Sequence, residues 1–137
     1  MVPDGLAVLK LVWTTMAAID HANLTGNYSV LRDLGSPSFQ ATNSAASLAG
    51  RFQTLRNQRV DLSNSLLVTP TYDIGPVIVE GGLLRVRGIF PVRPNPIAFD
   101  LLFQPAGTRW ALFGVAVAPI APIVPAPAPA PLAQPRR

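Results

Sequence analysis

The sequence predicts an α+β domain in which three N-terminal helices pack on a curved antiparallel β-sheet, and three observations carry that prediction. Apolar residues recur at steps of three and four as far as Leu55. Past Asp61 the chain turns to short runs of β-forming residues punctuated by Pro70, Gly75, Pro76, Gly81 and Gly82. From Pro119 onward seven of nineteen residues are Pro and five are Ala, which builds no core and favours extended conformations. Residues 1–118 are therefore expected to fold, and residues 119–137 to form a disordered tail.

The first helix is expected from Asp4, a capping residue, with Leu6, Leu9, Trp13 and Met16 as its apolar stripe. Asn27 opens a short second helix that buries Val30, Leu31 and Leu34 and stops at Gly35 and Pro37. A loop from Ser36 to Asn43 leads to the third helix, which carries Leu48, Phe52 and Leu55 at helical spacing. Arg51, Arg56 and Arg59 are read as its solvated face.

In the second half, Arg93-Pro94-Asn95-Pro96 can join Leu83–Val92 to Ile97–Gln104 as a hairpin. Pairing Val92 with Ile97 sets Phe90 opposite Phe99, Gly88 opposite Leu101 and Val86 opposite Phe103, giving one continuous apolar face. A turn at Pro105–Thr108 then sets Trp110 beside Phe103, Leu112 beside Leu101 and Gly114 beside Phe99. Gly88 and Gly114 leave room for a bend. The opposite face carries Ile89, Leu102, Phe113, Val115 and Val117 among Arg85, Arg87 and Asp100, with Asp100 diagonal to Arg87. It is too apolar to be simply solvated, so a homodimer through the sheet is expected, with Ile89, Leu102, Phe113 and Val115 on the contact face.

Composition narrows the chemistry. With no Cys, thiol catalysis, disulfides and thiolate zinc sites are excluded, and the single His21 allows no site needing two imidazoles. No cofactor or metal is expected. The net charge of +4 comes from one Lys and ten Arg against seven acids; Arg136 and Arg137 account for two of those Arg, and the rest are too scattered for a nucleic-acid footprint. Lys10 and Asp20 interrupt the most apolar stretch, Gly5–Ala22, so no membrane span is expected. Asp4 precedes that stretch and Lys10 falls inside it, unlike an export signal. A start further upstream would make the protein periplasmic or exported; otherwise it is cytoplasmic.

Three groups of residues carry a family resemblance: Gly26-Asn-Tyr-Ser-Val-Leu-Arg-Asp-Leu, Phe52-Gln-Thr-Leu-Arg before Asp61-Leu-Ser, and Arg109-Trp-Ala-Leu-Phe-Gly. Together, over about residues 5–118, they resemble the nuclear transport factor 2-like superfamily, and uncharacterised bacterial members of it above all. The resemblance implies a cystatin-like cone whose interior can be hollow. Some members of that superfamily are isomerases, dehydratases or epoxide hydrolases with carboxylates, Tyr or His inside the cone, and many others only bind or dimerise.

In the register above no carboxylate points inward from the last three strands, which disfavours catalysis. His21 and Asp20 are adjacent on one helix and diverge by about 100°, so they do not form a ready dyad. Tyr28, Asp33 and His21, with Phe90, Phe99 and Trp110, are the candidate pocket residues. The expected function is a non-catalytic ligand-binding or dimerisation domain able to hold a small apolar ligand. The alternative is an isomerase- or dehydratase-like enzyme using Asp33, Tyr28 or His21 in a hydrophobic pocket.

Overall fold

The computed structural model describes residues 2–120 and is an α+β domain in which helices precede a four-stranded antiparallel sheet. The expected class holds, with more helical pieces than the sequence suggested. Helix α1 (Gly5–Thr25) is capped by the Asp4 carboxylate, which accepts from the Ala7 N–H at 2.8 Å. Its buried stripe is Val8, Val12, Met16 and Ile19; of the expected stripe Met16 is buried, Trp13 is half-buried against the core and Leu6 is 63% exposed. Both sets satisfy helical spacing and share Met16; Val8, Val12 and Ile19 are the residues that join the core fully buried.

Helix α2 (Ser29–Asp33) buries Leu31 and exposes Val30. The segment expected as a loop contains helix α3 (Pro37–Thr42). Ser36, fully buried, is its N-cap, and Pro37 occupies its first position, where the missing N–H costs nothing. Helix α2 ends before Gly35 and Pro37 as expected, and Pro37 also starts the helix that follows. The expected third helix is two, α4 (Ala45–Arg51) and α5 (Gln53–Asn57), joined at Phe52, and Leu48, Phe52 and Leu55 are buried as expected. A 3₁₀ turn at Leu62–Leu67, opened by Asp61, occupies part of the stretch read as strand-like. Trp13 Nε1 donates to the carbonyls of Ser65 (3.1 Å) and Val68 (3.3 Å), binding that turn to α1.

The sheet is a meander of β1 (Thr71–Val79), β2 (Leu83–Phe90), β3 (Ile97–Ala106) and β4 (Arg109–Pro119) in that order. Its inner face, with Leu84, Val86, Phe90, Phe99, Leu101 and Phe103, closes one core with α1. The β2–β3 register is offset by two residues from the expected one: Phe90 pairs with Ile97, Gly88 with Phe99 and Val86 with Leu101. An offset of two keeps every side chain on its expected face. At Gly88 a Cβ would lie 2.2 Å from the Thr71 carbonyl oxygen, so β1 lies against β2 where only glycine fits. Gly75 has φ +73° where the β1–β2 register shifts, and a Cβ there would meet the Arg85 carbonyl oxygen.

Between β3 and β4 a bulge changes the faces. Leu102 pairs with Gly114 but Phe103 pairs with Leu112, leaving Phe113 as the extra residue. Beyond it alternation is reversed relative to the expected register. Val115 pairs with Leu101 and is buried, and Val117 pairs with Phe99 and packs on the core. Val115 is therefore corrected from contact-face candidate to core residue.

The free edge of β4 is partly closed. Leu34–Ser36 runs parallel to it, with the Leu112 N–H donating to the Leu34 carbonyl (3.0 Å) and the Ser36 N–H to the Leu112 carbonyl (2.8 Å). Arg51 Nη2 donates to the Val115 carbonyl at 2.8 Å and Arg109 Nη1 to the Leu34 carbonyl at 3.1 Å. Pro119, expected to open the tail, still pairs with Ile97, and the Ile120 N–H donates to the Pro96 carbonyl. Residues 121–137 of the expected tail lie outside the described residues.

Candidate functional site

On the inner face, where the resemblance allows a hollow, aromatic rings pack on one another, and a cavity of about 350 Å³ opens beside Phe52, Phe99, Val115 and Val117. Phe90 and Phe99 have centroids 5.0 Å apart, and Tyr72 meets Phe99 edge-on at 6.3 Å. Phe90, Phe99 and Phe103 are each 2% exposed or less. Burial pushes the Tyr72 hydroxyl above its ordinary value. Trp110 is half-buried at the far end of the β3–β4 hairpin, opposite Pro105.

The polar pocket candidates are not brought together. Asp33 and His21 are exposed, whereas Tyr28 is buried and stacked on Phe52. The Tyr28 hydroxyl donates to Asn23 Oδ1 in a short hydrogen bond and accepts from Arg56 Nη1 at 2.5 Å. Arg56 also donates to the Ala49 carbonyl at 2.9 Å, and its guanidinium lies over the Tyr28 ring. Arg51 and Arg59 are exposed as expected and Arg56 is half-buried, but Arg51 also ties its helix to β4 and Arg56 is held at the Tyr28 ring. The one sequence signal for these ties of Arg51 and Arg56 was position, since each lies beside or within a turn of the buried Phe52.

Asp20 is the acid that sequence reasoning set aside. It is 7% exposed, and no side chain among the described residues bonds to its carboxylate or forms an ion pair with it. Burial, and then the nearby charge of Asp61, raise its pKa, with His21 opposing. It lines a cavity of about 520 Å³ with Asn23, Arg56, Arg59, Asp61 and Ser63. Its signal in the sequence was its position one turn after the buried Met16, on the side of α1 away from His21.

The outer face of the sheet has a different character. The helices contribute to the same core as the inner-face residues, while the outer face is exposed at Val77, Arg87 and Ile89 and closed at its β4 end, where Ala111 is fully buried. Leu83, Ile89 and Leu102 stand on it, with Val77 from β1 and Phe113 from the bulge; Ile89 is 37% and Val77 39% exposed. Two ion pairs cross its middle. Arg85 meets Asp100 through Nε (3.1 Å) and Nη2 (2.7 Å), and Arg87 Nε lies 3.7 Å from Asp73. The bonded carboxylate holds the Arg85 guanidinium further into its charged form. Asp100 stands directly opposite Arg87 in the register, and its bonded partner is the diagonal Arg85.

Among the described residues no group of three or more His, Asp or Glu is placed to hold a metal ion, and no helix is long and apolar enough to cross a membrane. No protein-family model, curated protein or solved structure matches the chain.

Proposed function

We propose that the chain is a non-catalytic binding domain of the nuclear transport factor 2-like kind, working as a homodimer joined through the outer face of its sheet. The observation that carries this reading is the exposed part of the outer face, apolar at Leu83, Ile89 and Leu102 around two ion pairs. Asp73, Arg87, Arg85 and Asp100 sum to zero charge. Across a two-fold axis a face meets itself, and a row carrying both signs can set each acid against a base, whereas a single-sign row repels its copy. The order of helices and antiparallel strands supports the cone comparison, and the separation of Tyr28, buried, from Asp33 and His21, both exposed, supports a role at the surface over chemistry within.

Native mass spectrometry and sedimentation of the full chain test this. The wild type is expected as a dimer, and Leu102→Glu as a monomer with an unchanged far-ultraviolet spectrum. A wild-type monomer at concentrations of about 100 μM, a hundredfold above the Kd of roughly 1 μM that corresponds to −8.2 kcal/mol, would refute the reading.

A further inference from the structure

The cavity beside α1 holds an arrangement that the dimer reading does not use. Asp20 is more than nine-tenths buried and lacks any protein partner among the described residues, although a buried carboxylate normally has one. Asp61 stands at the same cavity, its Oδ1 accepting from the Ser63 N–H (3.0 Å) and hydroxyl, with its charge bearing on Asp20. Two acids around one space call for a cation, and these two are too few to hold a metal.

Two guanidiniums line the cavity, and they differ. Arg56 is committed to Tyr28 and the Ala49 carbonyl. Arg59 is exposed and makes no side-chain hydrogen bond or ion pair among the described residues. It is also the one non-glycine residue with positive φ (54°) among them, at the turn where the Val60 N–H closes back on the Leu55 carbonyl. Glycine fits such a position at lower cost, so an arginine there keeps its charge at the cavity mouth against a backbone preference.

We propose that this cavity is a binding site for a small zwitterion, with the ammonium against Asp20 and the anionic group against Arg59. An ammonium supplies Asp20 with the donors it lacks from the protein, in a charge-assisted hydrogen bond. The carboxylate end answers the one uncommitted guanidinium. A plain anion would face two acids, and a plain amine would leave Arg59 unanswered.

The test is a ¹H–¹⁵N titration of the full chain with three compounds of similar size: β-alanine, ethylamine and propionate. β-Alanine is expected to shift the amides of Asn23, Val60 and Ser63 with half-saturation below about 10 mM. Ethylamine and propionate are each expected to bind at least tenfold more weakly. Asp20→Asn and Arg59→Gln should each weaken β-alanine at least tenfold, and Arg59→Gln, at an exposed position, guards against a fold defect in the buried variant. No saturable shift with β-alanine overturns the proposal. So does equal binding of propionate or ethylamine, or binding that neither variant weakens. Because the dimer face lies on the sheet, a monomeric wild type that binds β-alanine would separate this result from the failure of the dimer reading.

Discussion

The two faces of the sheet use the same strands and both carry large apolar residues, yet only one is a core. On the inner side Phe90, Phe99 and Leu101 meet α1 and lose all contact with water. On the outer side Leu83 and Leu102 are only half-buried and Ile89 is exposed, and they alternate with arginines and aspartates that bond to one another across the strands. The difference teaches that hydrophobicity alone does not locate the core of a curved sheet. What decides it is which side the helices reach, and the other side keeps its apolar residues for a partner or leaves them wet.

Substitutions across the sheet test that contrast, and the largest effect belongs to the inner face. Phe99→Ala removes a ring packed on both Phe90 and Tyr72 and is expected to cost about 3–5 kcal/mol in urea unfolding. Gly88→Ala comes next: its methyl meets the Thr71 carbonyl, and chemical denaturation should show a loss of roughly 1–3 kcal/mol as β1 is pushed from β2. On the outer face Leu102→Glu should change monomer stability by no more than about 0.5 kcal/mol while abolishing the dimer. A large loss of folding stability in monomeric Leu102→Glu would erase the distinction between the faces.

The smallest expected effect sharpens the contrast through two acids. Asp100, half-exposed, has a bidentate arginine; Asp20, buried, has no protein partner. Because the Asp20 pKa is raised in the folded protein, the unfolded chain gives up this proton first as pH climbs past the ordinary value of 3.8. Stability from this group is thus present in acid and lost as pH rises through the folded pKa. Asp20→Asn escapes that loss, so its melting temperature is expected to gain on wild type from acid towards neutrality.

The sequence reveals the order of helices before strands, the Asp4 cap, and the inner residues of β2 and β3, because each depends on neighbours within a turn or on strict alternation. The phase of α1 is partly legible: Leu6–Leu9–Trp13 and Val8–Val12 both reach the buried Met16 at helical steps, and only packing on the core chooses between them. Pro37 is half legible because proline marks the start of a helix as well as its end, and here it follows one helix and opens the next. The bulge at Phe113 is hidden because one extra residue leaves no local trace, yet it carries Val115 and Val117 across the sheet. Of the sites, the outer-face residues Ile89, Leu102 and Phe113 are readable from alternation. Asp20 and Arg59 are not, since their meeting depends on how the segment after α5 returns to α1.

The strip Leu34–Ser36 along β4 has a consequence for synthesis. Its bonds to Leu112, and that of Arg109 to the Leu34 carbonyl, join positions about 75 residues apart. While the ribosome is still making β3, the helices can already have formed, but that strip has no strand to receive its N–H and carbonyl groups. The nascent chain holds an unfinished border until β4 emerges, and the interval before it does is when a helper protein or a neighbouring polysome product has most access to it.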